Sequence, residues 1–349
     1  MKILHSADLH LDSPFAGYPQ DQAQYLKDQL LSVPDQLATL CRKEQCDLVL
    51  LAGDIFDGPW TKESFRALSA ALEECGVPVF ISPGNHDFIS LSSPYLANIW
   101  PSNVHIFKSP RIEAVDLEAL DCRIYGAGYR SMDCDNLLEG FCAQGQARYH
   151  IGVFHADPTK ADSPFFPITA AQIEHSWLDY LALGHIHKAG FLQQGRTLCA
   201  WPGCPMGRGY DETGDKGVFI VTLEDKVQAD FVRLDTPRFL DLQTDNPDKV
   251  LPALGNSDFY RITLTGTDDG TGIENLYRQY SDFPHLTLRD RRTAGVPLWN
   301  SIHSDTLEGA YFRSLKDTLE GADEDTQAII QLAAQISRQI LDGQEVQLP

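Results

Sequence analysis

Short apolar runs alternate with helical stretches through the first 190 residues, and that alternation restricts the chain to a layered α/β fold. Residues 2–5, 48–52, 77–81, 123–125, 151–154 and 178–183 have the length and composition of strands. A helix is predicted over Lys62–Glu74, where Phe65, Leu68 and Leu72 share a face and Thr61 can cap the first turn. A longer one is predicted over about residues 22–44, interrupted at Pro34. From about residue 189 to 233 the helical spacing stops. Strands with Gly-rich turns are expected there, ending in Gly217–Leu223 and residues 227–234.

A chain of 349 residues has room for two domains, or one large domain with an appendage. Thr236-Pro237 reads as the boundary. Strands at Phe239–Thr244, 259–265 and 285–289 and helices at 247–254 and 272–280 make a small α/β module over residues 237–300. Residues 301–349 read as two amphipathic helices, 304–320 and 325–341. The second carries a stripe of Ile329, Leu332, Ala333, Ile336 and Ile340 and stops at Gly343. No run is long and apolar enough to span a membrane, and the first residues turn polar after two apolar ones, so a cytoplasmic protein without a leader is expected. Eight scattered cysteines, none in a C-x-x-C pair, are expected as free thiols.

Five polar segments interrupt the apolar runs at their ends. They are Asp8-Leu9-His10, Gly53-Asp54-Ile55-Phe56-Asp57, Gly84-Asn85-His86-Asp87, His155, and Gly184-His185-Ile186-His187. Strand ends are where α/β sheets bind ligands. Residues i and i+2 of extended chain point the same way, so Asp8 with His10, and His185 with His187, can each present two donors to one ion. The donors are carboxylate, amide oxygen and imidazole, with no thiolate. That set suits Mn²⁺, Fe²⁺ or Zn²⁺ in a catalytic rather than a structural role. There are too many donors for one ion and enough for two, and two ions about 3.5–4 Å apart are a general device for hydrolysing phosphate esters.

The string D-x-H, GD-x-x-D, GNHD, H, GH-x-H resembles the calcineurin-like metallophosphoesterases over roughly residues 1–235. Two flanking strings, one running from His5 through Asp12-Ser13-Pro14-Phe15 and one from Trp201 to Glu212 followed by Gly214-Asp215-Lys216-Gly217, are similar to bacterial DNA-repair exonucleases of the SbcD type, especially the YhaO-like branch. The resemblance implies a β-sandwich flanked by helices over residues 1–236, a small capping module over 237–300, and C-terminal helices over 301–349 that dock on a partner. It implies one ion held by Asp8, His10, Asp54 and His187, and a second held by Asp54, Asn85, His155 and His185, with Asp54 bridging and Mn²⁺ the expected metal. It further implies that His86 is not a ligand but protonates the leaving oxygen, and that Asp57 orients His86. The activity implied is a metal-dependent DNA exonuclease or endonuclease in repair, working with an SbcC-like ATPase, and a homodimer is compatible with this reading.

The alternative on the same fold is a phosphodiesterase or phosphatase acting on small molecules. Ser/Thr phosphatases carry Arg and Glu where this chain has Gly58 and Asp87, which disfavours that branch. Cyclic-nucleotide esterases share every metal motif and stay open. The formal net charge of −21 weighs against a chain that grips nucleic acid unaided. Arg289, Arg291 and Arg292 form the densest basic cluster and are candidates for DNA contact, with a solvated strand end paired to Asp290 as the alternative. Arg208, in the Gly-rich loop after the last motif, is a candidate phosphate contact. His5 is expected in the core. His105, His150, His175, His285 and His303 are expected in local or solvent roles. Asp12 is expected either to support a ligand histidine or to form the turn before Pro14. Asp87 is expected to cap its own loop or to join the site.

Overall fold

The computed structural model describes residues 1–97, 99–268, 271–293 and 299–343. It divides into two compact units, Met1–Asp241 with Ser257–Tyr260, and Leu242–Asn256 with Arg261–Pro349. The first unit carries β1 (Lys2–Ser6), β2 (Leu48–Leu51), β3 (Val79–Ile81), β4 (Val104–Ile106), β5 (Glu113–Leu117), β6 (Cys122–Gly126), β7 (Tyr149–His155), β8 (Tyr180–Gly184), β9 (Lys188–Gln194), β10 (Thr197–Gly203), β11 (Gly217–Leu223) and β12 (Val227–Arg233), with helices α1 (Gln20–Lys43), α2 (Lys62–Glu74) and α3 (Ala170–His175).

These strands form two six-stranded sheets, ordered β12-β11-β1-β2-β3-β4 and β5-β6-β7-β8-β10-β9. In the first, β1 to β4 run parallel, while β11 returns antiparallel beside β1. In the second, β6, β7, β8 and β10 run parallel between antiparallel edge strands β5 and β9. Strand alternation shows how the layers pack. Ile3, Leu48 and Leu50 join Ile151, Val153 and Ala182 in one buried cluster between the sheets. Their neighbours Leu4, Val49 and Leu51 join Leu30, Leu37, Leu68 and Leu72 in another, beneath α1 and α2. Phe154, Leu181 and Leu183 pack with Ile173 of α3 on the far face. The result is a β-sandwich with helices on both outer faces, and strands buried on both sides explain why β2 and β7 read as unbroken apolar runs.

Helix α1 runs unbroken through Pro34, against the expected interruption. Proline forfeits one backbone hydrogen bond, at a cost of about 3 kcal/mol. Leu26, Leu30, Val33, Leu37 and Cys41 bury a continuous stripe on the sheet, and at about 1.5–3 kcal/mol for each large side chain that burial outweighs the loss. Helix α2 starts where expected, with Thr61 accepting from the Ser64 N–H. Asp12 forms the expected turn, with left-handed backbone (φ 70°) beneath the Ser13 N–H to His10 carbonyl bond at 3.2 Å, and its carboxylate also serves this helix, accepting from the Thr61 N–H at 3.0 Å and from the Ser64 hydroxyl.

His5 is fully buried between the sheets, where the Tyr180 hydroxyl donates to its Nδ1 at 2.7 Å and its Nε2–H donates to the Leu183 carbonyl at 3.1 Å. Burial lowers its pKa to about 3 from the ordinary 6.5. As pH falls below 6.5, the unfolded chain therefore takes up a proton that the folded chain refuses, and stability is lost with acid. Between pH 7 and pH 4 this loss is on the order of 3 kcal/mol. Urea unfolding at both pH values tests it. The variant His5→Gln should lose about 3 kcal/mol less across the interval than the unaltered protein, and equal losses would place the acid sensitivity elsewhere.

The second unit holds most of a three-stranded sheet, ordered β13 (Phe239–Thr244), β14 (Phe259–Leu264), β15 (Leu286–Asp290), with α4 (Ile273–Gln279), α5 (Leu307–Leu319) and α6 (Glu324–Leu341). The helix expected over 247–254 is a single 3₁₀ turn at Pro247–Lys249, because Pro252 and Gly255 prevent its continuation. Helix α6 packs on α5, with Ile330 and Ala334 buried, Arg338 paired to Glu308 and the Tyr311 and Ser337 hydroxyls 2.8 Å apart. Leu307, Ile329 and Ile340 stay more than half exposed. No helix among the described residues is long and apolar enough to cross a membrane.

Candidate metal centre

The ends of β1, β2, β3, β7 and β8 and the loops that follow them carry the five polar segments to one place. Backbone pairing continues past the ends of β1 and β2: the Asp8 N–H donates to the Gly53 carbonyl at 3.0 Å and the His10 N–H to the Asp54 carbonyl at 2.9 Å. That ladder holds Asp8, His10 and Asp54 in left-handed backbone (φ 52°, 48° and 50°), and His185 is likewise at φ 91°. Non-glycine residues with such angles cost energy and gather at functional sites. Two glycines of the motifs have a packing reason. A Cβ on Gly84 would lie 2.2 Å from Asp54 Oδ1, and one on Gly184 would lie 1.9 Å from the Ala52 carbonyl oxygen.

Asp54 is central. It is 1% exposed, and its Oδ2 lies 3.3 Å from His155 Nε2 and 3.9 Å from His10 Nε2. On one side, His10 Nε2 faces His187 Nε2 at 3.2 Å, and Asp8, His10 and His187 converge within metal-binding reach. On the other, His155 Nε2 lies 2.8 Å from Asn85 Oδ1, and the His155 and His185 rings are 5.2 Å apart. Asp8 accepts the His185 backbone N–H at 2.9 Å. All seven predicted ligand residues thus meet in one pocket.

The donor set fits divalent cations. Asp8 and Asp54 are buried carboxylates with only histidines as charged partners among the described residues, and such charges need a cation beside them. Burial opposes a charge on His155, yet the Asp54 carboxylate raises its pKa to about 9, so the pocket attracts positive charge. Burial, seconded by His155, lowers His185 to about 4, which leaves that imidazole neutral, the form that ligates. Glu212 accepts from His187 Nδ1–H at 2.7 Å, which leaves the His187 Nε2 lone pair facing inward. Burial works against the Glu212 charge, and the hydrogen bonds from His187 and Arg208 overcome it.

His86 stands at the rim, with its side chain 42% exposed and its Nδ1 2.9 Å from Asp57 Oδ1. That hydrogen bond raises the pKa of the imidazole. Its ring packs edge-on to His10 at 4.8 Å. Asp57 also accepts from the Ser13 hydroxyl at 2.8 Å. Asp87 ties its own loop to the one after β2: it accepts the N–H of Gly84 in the first, those of Ile55 and Phe56 in the second, and the Tyr95 hydroxyl.

Arg208 reaches this site, but its guanidinium pairs with Glu212 at 2.8 Å and lies 3.5 Å from Asp57. Arg289, Arg291 and Arg292 lie in the second unit. Arg292 is engaged there, its side chain 6% exposed and paired with Asp290 at 2.7 Å and Asp268 at 3.0 Å, while Arg289 and Arg291 are exposed. Two residues escaped sequence reasoning. Glu212 sits in a Gly-rich loop without periodicity. Asp157, whose Oδ2 is 3.9 Å from His185 Nε2, stands two residues after His155, a spacing that could have flagged it.

An uncharacterized metallophosphoesterase, YhaO, of Bacillus subtilis (strain 168) is 34% identical over 239 residues, 63% of this chain and 57% of the relative. The SbcD component of the nuclease SbcCD of the same organism is 26% identical over 267 residues, 63% of this chain and 66% of the relative. The DNA double-strand break repair protein Mre11 of Aeropyrum pernix is 30% identical over 115 residues, 31% of this chain and 26% of the relative. The chain therefore spans less than two thirds of the length of these relatives. Residues 1–189 match the calcineurin-like phosphoesterases.

Proposed function

The chain belongs to the calcineurin-like phosphoesterase family, and on that premise we propose that it is a phosphodiesterase using two divalent ions, with DNA as its substrate. The observation that carries this reading is the Asp54 carboxylate lying between two imidazole groups, within 3.3 Å of His155 and 3.9 Å of His10. Asp8, His10, Asp54 and His187 would hold one ion, and Asp54, Asn85, His155 and His185 the other. Bound there, the ions would make water a better nucleophile and draw charge from the phosphate oxygens, a role for which Mn²⁺ is the proposed metal. His86, held by Asp57, would meet the phosphate from the open side and give its proton to the leaving oxygen. Glu212 would keep His187 in the tautomer that ligates.

The nuclease relatives support DNA as the substrate, whereas the net charge of −21 favours a small diester. Metal-stripped protein reloaded with Mn²⁺, Fe²⁺ or Zn²⁺ and given linear DNA, a cyclic dinucleotide or an aryl phosphodiester separates the two. Metal-dependent cleavage of linear DNA supports the nuclease. Cleavage of the small diesters alone moves the protein to the small-molecule reading.

The remaining elements of the proposal concern the second unit. We take it as a capping module that helps hold DNA. Arg292 is engaged in ion pairs, so the exposed Arg289 and Arg291 carry the expected contacts. Replacing both with Ala should flatten the salt dependence of DNA affinity by about two units of slope, and an unchanged slope would return them to the solvated surface. The exposed Ile329 and Ile340 on α6 would dock on an SbcC-like ATPase, as an apolar helix face in a groove. Deleting residues 322–349 should abolish co-purification with that ATPase while aryl diester hydrolysis persists, since no proposed ligand lies there. Loss of both would make the helix part of the fold.

A further inference from the structure

Beside the metal centre, His86 also borders a separate hollow of about 420 Å³ to which none of the seven ligand residues contributes. Trp60, Phe88, Pro59 and Pro94 supply its apolar wall, and Ser92 lies along it. Trp60 is a fixed platform: its Nε1–H donates to the Ser92 carbonyl at 2.9 Å, and its ring meets Phe65 at 5.7 Å. Among the described residues, neither lysine nor arginine lines the hollow. The titratable side chains there are His86 and Asp87, and Asp87 is committed to the backbone N–H groups of Gly84 and Ile55. A second phosphate would find no lysine or arginine here. A neutral planar ring would find aromatic surface and hydroxyls, in a volume ordinary for a small-molecule site.

We infer that this hollow receives the leaving side of the substrate, as a nucleoside whose base packs on Trp60 while His86 meets the departing oxygen. The inference rests on the phosphodiesterase reading and deepens it. Aromatic platforms bind bases through stacking without reading their sequence, so the expected preference is for a nucleoside leaving group over a small alcohol, with little discrimination among bases.

The test compares two diesters, dithymidine monophosphate and the methyl ester of thymidine 5′-phosphate, with the metal-loaded full chain. Trp60→Ala should lower kcat/KM for the dinucleotide about tenfold or more and leave the methyl ester within about twofold. Phe88→Ala should shift the ratio in the same direction, which guards against a local collapse of the turn at Trp60. Trp60→Phe should retain most of the preference. Metal content per chain should be unchanged in all three. Equal falls on both substrates would overturn the inference and leave the phosphodiesterase reading standing. No hydrolysis of either diester by the unaltered protein would remove that reading, and this inference with it.

Discussion

Asp54→Asn should leave the protein unable to retain either metal ion and reduce diester hydrolysis to background. Asp54 is the carboxylate between the two halves of the ligand set, 3.3 Å from His155 on one side and 3.9 Å from His10 on the other. An amide keeps the shape and can still accept the His86 N–H that Asp54 Oδ1 accepts at 2.9 Å, but it removes the negative charge that both ions would share. Two measurements check this. Metal analysis after gel filtration should find neither ion in the variant. Thermal unfolding should show no gain on adding metal, whereas a ligand at one thousand times its Kd stabilises a folded protein by about 4 kcal/mol. A variant that retains one ion would assign Asp54 to a single site and end the bridging role.

His86→Asn should keep both ions and cost about 10²–10⁴-fold in rate, the usual worth of a positioned proton donor. The prediction follows from geometry. The His86 imidazole lies at the rim, anchored through Nδ1 on Asp57, with its side chain 42% exposed to an approaching substrate. Asp57→Asn should give a smaller fall, since the imidazole stays but loses its anchor. The outcome that sinks this role is loss of metal in the His86 variant, because the alternative grouping of His10, Asp54 and His86 around one ion would then be the correct one.

Much of the fold was legible because β1, β2, β3, β7 and β8 are short apolar runs ended by a polar motif. The run predicts the strand, and its end predicts where Asp8, Asp54, Asn85, His155 and His185 stand. Pairing across distance was not legible from local pattern. Nothing near Lys2 announces that Thr222 is its partner on β11, nor that the motif loops of two different sheets meet. Glu212 was hidden for the same reason, since its meaning lies in its contact with His187. Pro34 and the 247–254 segment erred in opposite directions. In the first, a buried apolar stripe overrode a helix breaker. In the second, Pro252 and Gly255 stopped the helix expected there after one turn.

The left-handed backbone at Asp8, His10, Asp54 and His185 sets a trade-off between durability and chemistry. Each such angle holds on the order of 1 kcal/mol that a glycine would release. At these four positions the substitution that would relax the backbone is also the one that erases a ligand, whereas Gln45, Asp121 and Trp177, left-handed as well, could be relaxed without that loss. Selection for heat resistance alone, with hydrolysis unprotected, would draw on these four positions as readily as on the other left-handed ones. A thermostable descendant that keeps its activity would have to seek its improvements elsewhere, in the helices and outer loops that surround the two sheets.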